Sequence, residues 1–182
     1  MPTIESLTHE LKVKEKIQET AEATSLILEV PEELNQKFAY QPGQFVTFFL
    51  KIGGEEIRRS YSLCSCPEFE PQFQVMVKRV EGGQVSNYLI DHVQEGDVLR
   101  TSPPAGTFYR KPAETEAIHY LLFAAGSGIT PVLSILKWAL QKNDSHRVTL
   151  LYGNRNEESI IFKDQLRELS ERFQGRLQVV HV

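Results

Sequence analysis

At 182 residues the chain is long for one domain and short for two complete ones, and its 41% hydrophobic and 24% charged residues are ordinary for a globular protein. A net charge of −4 with no basic run argues against nucleic acid as the main partner. No apolar run approaches the roughly 20 residues needed to cross a bilayer, which argues against a membrane-embedded protein.

The opening Met1-Pro2-Thr3-Ile4-Glu5 lacks the basic-then-apolar order of a signal peptide, so a cytoplasmic protein is expected. Residues 11–17 alternate through Leu11, Val13 and Ile17; residues 25–30 are rich in β-formers and stop at Pro31. Gln41-Pro42-Gly43 is a turn signal leading into the aromatic and β-branched stretch 44–51. Residues 56–62 read as extended and end in Arg59-Ser60-Tyr61-Ser62. Alternate side chains of an extended segment share a face, so Arg59 and Tyr61 project together. Ser60 and Ser62 project oppositely, unless the strand ends there and twists Ser62 back. A cation, an aromatic plane and small hydroxyls are what a flavin nucleotide requires for its pyrophosphate, its ring and its ring edge. The segment reads equally as an amphipathic strand with an exposed arginine.

Cys64 and Cys66, the only two cysteines, have no second pair to complete a four-ligand zinc or iron–sulfur site. They are expected as half-buried thiols on one face of a strand, with no metal. Phe73, Val75 and Val77 alternate, residues 84–92 show a helical pattern with Val85, Leu89 and Tyr88 inward, and residues 97–100 form a further short strand. Many short strands with frequent turns indicate a small barrel or sandwich. Before the helix, Glu81-Gly82-Gly83-Gln84-Val85-Ser86 offers early N–H groups and a hydroxyl to a phosphate; an ordinary strand-to-helix turn has the same appearance.

After Pro112 the period changes. Residues 120–125 are continuously apolar and bounded by glycine, as a fully buried strand should be. Gly126-Ser127-Gly128-Ile129-Thr130-Pro131 then opens a helix. The glycines permit close backbone approach to a phosphate, Thr130 suits the N-cap and Pro131 the first helical position. Proline replaces the third glycine of the G-x-G-x-x-G fingerprint, and a purely structural turn is the alternative to a nucleotide site. Val132, Ile135, Leu136, Ala139 and Leu140 mark the helix face; residues 148–152 form a second buried strand. Phe162, Leu166, Leu169 and Phe173 mark a second helix stopping at Gly175, and residues 177–182 a third strand. Tyr152 and Arg155 close the second strand at the end where parallel sheets bind ligands; Arg155 reads equally as a phosphate or ribose contact and as a solvated loop residue. Strand-helix-strand-helix-strand indicates a parallel α/β unit, with domains at 1–112 and 113–182. Three strands are half a doubly wound sheet, so the unit is expected to be cut short at Val182. His92, His119 and His181 are expected to be structural, and no Ser-His-Asp arrangement or nucleophile elbow is present.

Taken in order, these segments resemble the ferredoxin–NADP reductase family. The likeness runs from Pro42-Gly43-Gln44-Phe45 through Arg59-Ser60-Tyr61-Ser62, Gly83-Gln84-Val85-Ser86 and Pro104-Ala105-Gly106-Thr107-Phe108 to residues 125–131 and Tyr152-Gly153-Asn154-Arg155. Within it, Gly54-Glu55-Glu56-Ile57-Arg58-Arg59 and Lys78-Arg79-Val80-Glu81-Gly82-Gly83 look most like reductase components of the phenylacetyl-CoA epoxidase type. The resemblance implies an all-β, antiparallel, six-stranded Greek-key FAD barrel followed by an incomplete α/β nicotinamide-nucleotide domain. It implies that Arg59 pairs with the flavin pyrophosphate, Tyr61 stacks on the ring and Ser62 meets the ring edge, with Ser60 beside them. It also implies that Val77, Lys78 and Arg79 border the flavin ribose and phosphate, and that Gly83, Gln84, Val85 and Ser86 cap the pyrophosphate. Gly126, Ser127, Gly128, Thr130, Pro131, Tyr152 and Arg155 fall on the nicotinamide-nucleotide side, with Thr130 where the two cofactors meet. Ser62, Tyr61 and Thr130 are the residues expected at the chemistry. The implied cofactors are FAD with NADPH or NADH as donor, and a 2Fe-2S cluster only in a further domain or partner. The implied partners are an iron–sulfur domain or ferredoxin and an oxygenase. A non-catalytic flavin- and nucleotide-binding electron-transfer subunit is the alternative from another class. An unrelated barrel joined to a methyltransferase-like half is opposed by Thr130-Pro131 and by Arg59-Ser60-Tyr61-Ser62.

Overall fold

The computed structural model describes residues 8–109 and 117–182. Six strands build the first part: β1 (His9–Thr20), β2 (Ala23–Glu29), β3 (Phe45–Ile52), β4 (Glu55–Ser62), β5 (Phe73–Lys78) and β6 (Val98–Thr101). A short helical turn, α1 (Asn35–Phe38), and a helix, α2 (Gln84–Asp91), interrupt them. All pairings are antiparallel, in the order β4-β3-β6-β1-β2-β5. The two outer strands curl round to meet at one bridge, Leu63 with Val75, backed by the Cys64 N–H donating to the Gln74 carbonyl at 2.9 Å. The result is a six-stranded barrel, and the succession β6-β3-β4-β5 is a Greek key. Alternation explains its inside: Leu11 and Val13 of β1, Val46, Phe48 and Leu50 of β3, and Val75 and Val77 of β5 share one buried cluster.

The second part is a parallel sheet in the order β7 (His119–Ala125), β8 (Arg147–Gly153), β9 (Leu177–His181). Its crossovers are α3 (Ile129–Lys142) and α4 (Lys163–Arg172). Two right-handed crossovers stepping the same way put both helices on one face of the sheet. Val148, Leu150, Tyr152 and Leu177 therefore meet Leu133, Leu136, Leu166 and Leu169 in one cluster. The opposite face lies open: Leu121 is 59% and Phe123 65% exposed. This corrects the expectation of fully buried strands. A continuous apolar run records that both faces of β7 are apolar, and only the layer count decides whether both are covered.

The two parts pack directly on each other. β2 is buried on both faces from residue 23 to residue 28. Leu26 and Leu28 fill the barrel, while Ala23 joins Met76, Cys64 and Cys66 against Ile129, Leu133 and Leu136 of α3. The cysteines are thus fully buried in the segment after β4, between the two halves, rather than half-buried on a strand. Burial pushes the Cys64 thiol up to about 12, so it stays protonated. The expected domain division at 112 and 113 lies outside the described residues. No helix among the described residues is long and apolar enough to cross a membrane.

Candidate functional site

The end of β4 meets β5 at the Leu63–Val75 bridge and the Cys64–Gln74 hydrogen bond, and the gap on the other side of that bridge becomes the site. It is a cleft of about 450 Å³, walled by the end of β4, the end of β5, the start of α2 and the turn before α3. Arg59, Ser60, Tyr61 and Ser62 all line it. The strand does end at Ser62, and the cleft wraps over that end, so the two faces expected to diverge open onto one space. Tyr61 rests against Phe48, ring centroids 5.5 Å apart, and burial pushes its phenol up to about 12 against the opposing pull of Arg59. Tyr61 is therefore a neutral ring with one apolar side supported from behind. The exposed Arg59 bends along the strand and donates to the Arg58 carbonyl at 2.7 Å, while the Ser60 hydroxyl lies 2.9 Å from that of Thr47.

On the facing wall, Met76 and Lys78 line the cleft from one side of β5. Val77 points the other way, into the barrel core, so its side chain does not line the cleft. The alternation Phe73-Val75-Val77 already carried that answer, and by the same parity it marked the missed Met76. The exposed Val80 also lines the cleft; no pattern in the sequence singled it out. Arg79 reaches the cleft, but its guanidinium is engaged: it donates to both Asp91 carboxylate oxygens at 2.9 and 2.6 Å and to Asn87 Oδ1 at 3.2 Å. Those hydrogen bonds hold the Asp91 carboxyl below the usual carboxylate range. Arg79 thus ties α2 to the end of β5 instead of offering a free fork to a phosphate.

Gly83, Gln84, Val85 and Ser86 bring the first turn of α2 to the cleft, where the helix itself has no partners for its N–H groups. The Ser86 hydroxyl is turned back, accepting the Val80 N–H at 3.1 Å, so it shapes the turn. Gly83 is there for space: a Cβ would lie 2.7 Å from Ser86 Oγ and 2.9 Å from Val80 Cβ. From the second half, Ser127 and Thr130 complete the wall. Gly126 adopts φ +47°, and Lys78 Nζ lies 3.3 Å from where its Cβ would be, so this turn abuts the barrel's own cation. Thr130 is not the N-cap. A 3₁₀ turn over Gly126–Gly128 runs straight into α3, and the Thr130 hydroxyl donates to the Ser127 carbonyl at 2.7 Å. Pro131 still falls in the first turn, where its missing N–H is harmless.

Tyr152 is buried behind the turn, its hydroxyl donating to the Gly126 carbonyl at 3.0 Å, and so supports the loop without facing the cleft. Arg155 is exposed and, like Gly126, Gly128 and Pro131, does not line the cleft. The residues present fit an FAD: a supported aromatic face, an exposed Arg59 whose guanidinium is held by a backbone carbonyl, Lys78 at the junction, and a helix start whose glycine leaves the backbone bare.

Comparison with known proteins agrees. Residues 10–109 match the family model for the oxidoreductase FAD-binding domain, and residues 122–182 that for the oxidoreductase NAD-binding domain. The ferredoxin reductase component of 3-ketosteroid-9-alpha-monooxygenase from Rhodococcus rhodochrous is 45% identical over 174 residues, covering 94% of this chain and 48% of the relative. A component of the 1,2-phenylacetyl-CoA epoxidase of Escherichia coli K12 is 37% identical over 173 residues, with the same coverages of 94% and 48%. Among solved structures, the FAD/NAD-binding domain of the nitric oxide dioxygenase from Vibrio cholerae superposes with a TM-score of 0.79 at 29% identity, covering 94% of this chain and 72% of that one. The chain spans about half the length of the curated relatives it matches.

Proposed function

The chain belongs to the ferredoxin–NADP reductase family of FAD- and NAD-binding oxidoreductases, and on that premise we propose that it is the flavin-bearing part of an NAD(P)H-dependent reductase. The observation that carries this reading is that a single cleft draws on both halves, with the flavin-type wall of β4, β5 and α2 meeting the turn of residues 126–130.

The assignments follow from what each group has free. Arg59 is the phosphate partner, since its guanidinium donates to a backbone carbonyl and meets no carboxylate among the described residues. The N–H groups of Gln84, Val85 and Ser86 hold the other side of the pyrophosphate, aided by the positive end of α2. Tyr61 provides the stacking face and Ser62 the hydroxyl at the ring edge. Ser127 and Thr130 stand where the nicotinamide nucleotide enters, and Lys78 lies between the two phosphate-bearing ligands. Val77, Arg79, Ser86 Oγ and Tyr152 act one layer back, holding these elements in place.

When bound, FAD accepts two electrons as hydride from a reduced nicotinamide and releases them singly to one-electron acceptors. The chain's part is to hold the two rings in register and exclude water; no side chain need gain or lose a proton. The acceptor is an iron–sulfur domain or ferredoxin that feeds an oxygenase, a reading supported by the monooxygenase and epoxidase systems named for the relatives. The purified protein is expected to be yellow, or to turn yellow on adding FAD, with only slow bleaching of the 182-residue chain alone by NADPH or NADH. A colourless protein that takes up no added FAD would overturn the reading.

A further inference from the structure

The helix that begins at the cleft is also the part of the second half most firmly tied to the barrel. Thr130, Ser134, Lys137 and Gln141 of α3 recur at i, i+4, i+7 and i+11 and so lie along one face. Ser134 Oγ donates to the Ser65 carbonyl at 2.7 Å. Lys137, only 1% exposed, places Nζ 2.6 Å from Glu70 Oε2, and that same oxygen accepts the Cys66 N–H at 2.7 Å. Gln141 Nε2 reaches Cys66 Sγ at 3.8 Å. At the edge of this stripe Trp138 Nε1 donates to Glu68 Oε1 at 3.4 Å and Lys142 Nζ to Glu68 Oε2 at 3.3 Å, so α3 grips residues 65–70 of the barrel by a set of polar contacts of which Lys137–Glu70 is the most buried charge pair.

Lys137 does not line the cleft, so its burial serves no chemistry there. An ion pair with one partner buried and the other partly exposed (side chains 2% and 26%) is a weak source of stability, because the lysine's lost hydration offsets the attraction; the best-attested use of such a pair is to fix a register. A register needs fixing here. Packing of Ile129, Leu133 and Leu136 against Ala23 and Met76 is non-directional and resists sliding or rolling of α3 only weakly. Lys137 is seven residues from Thr130, a rise of about 10 Å along the same rigid helix, so any slip at the pair is passed to the turn at the cleft.

We propose that the Lys137–Glu70 ion pair, with the Ser134–Ser65 hydrogen bond, is the device that registers the turn of residues 126–130 over the flavin cleft. These are positioning residues, and the inference rests on the reductase reading above. Placement errors of about 1 Å at a reacting centre are enough to slow transfer by about a hundredfold, so such a device has consequences for rate that exceed its effect on stability.

The test uses the full-length protein with K137M/E70Q. This variant removes both charges, keeps their volumes and leaves an amide oxygen for the Cys66 N–H. FAD affinity is expected to stay within about threefold of the parent and the unfolding temperature to be unchanged or raised. Alkylation of Cys64 and Cys66, located by mass spectrometry, is expected to be about tenfold faster as the interface loosens. Flavin reduction at saturating NADPH or NADH is expected to be about tenfold slower. Parent-like thiol protection and parent-like reduction in the folded variant would overturn the proposal. Should K137M/E70Q fail to fold, S134A, which loses one hydrogen bond, decides by the same two readouts. A parent protein that binds no FAD refutes the reductase reading instead, while thiol protection still reports on the device.

Discussion

Replacing Gly83 with alanine tests the α2 start as a phosphate site. The backbone there (φ −73°, ψ 112°) is open to any residue, so the cost is steric alone. The new methyl would lie 2.7 Å from Ser86 Oγ, 2.9 Å from Val80 Cβ and 3.0 Å from the Val80 carbonyl oxygen. That carbonyl is held by the Gly83 N–H at 2.9 Å, and Ser86 Oγ by the Val80 N–H at 3.1 Å, so the neighbours have little freedom to yield. Either Ser86 turns away, losing a hydrogen bond of about 1 kcal/mol, or the first turn of α2 moves outward. Overpacking of this kind costs about 1–3 kcal/mol, or a fall of a few degrees in the apoprotein's unfolding temperature. Misaligning one N–H from a charged phosphate removes about 1.5–3 kcal/mol, so FAD should bind about 10- to 100-fold more weakly. Flavin fluorescence titration beside thermal unfolding of the apoprotein measures both. FAD affinity within about twofold of the parent would refute the assignment of this turn.

Arg59→Ala should weaken FAD binding by about 10- to 100-fold, the equivalent of one charge-assisted hydrogen bond, with little change in unfolding temperature because the side chain is exposed; parent-like affinity counts against its role. The Asp91 carboxyl has a folded pKa below its unfolded value, so its hold on Arg79 and α2 is complete above about pH 4 and is lost as pH falls through the lower folded value. FAD affinity followed against pH should therefore be level from neutrality to about pH 4 before declining, and Asp91→Asn should weaken FAD already at neutral pH; an unchanged Kd for that variant would sink the idea. Phe123→Ser, on the open face of β7, should shift stability by less than about 0.5 kcal/mol and reduce self-association in sedimentation; a large fall in unfolding temperature would mean that this face is covered.

The barrel strands, α2, the two crossover helices and the glycine turns are each set by neighbours within a few residues. Alternation, helical spacing and bare backbone at Gly83 and Gly126 are local matters of sterics and hydrogen bonding, and they are legible in order along the chain. The same local logic placed Arg59-Ser60-Tyr61-Ser62 at a strand end. It fails where a group's fate depends on a distant partner. Arg79 looks like a phosphate ligand until Asp91 is seen to hold it, and Tyr152 looks like a cleft residue until it is found buried behind Gly126. Likewise Leu121 and Phe123 are as apolar as any core residue, yet only the number of layers decides that they are open.

The order of residues alone carries the set of parts: a cation, a ring and hydroxyls on one strand, two glycine turns opening helices, and a change of period after Pro112. Packing settles that these parts share one cleft, that Arg79 there is held by a carboxylate while Arg59 is held by a backbone carbonyl, and that Lys137 finds Glu70 across 67 residues of sequence. The reason is physical. Backbone preferences act over a turn or a pleat, whereas desolvation and ion pairing depend on which surfaces the packed chain brings together.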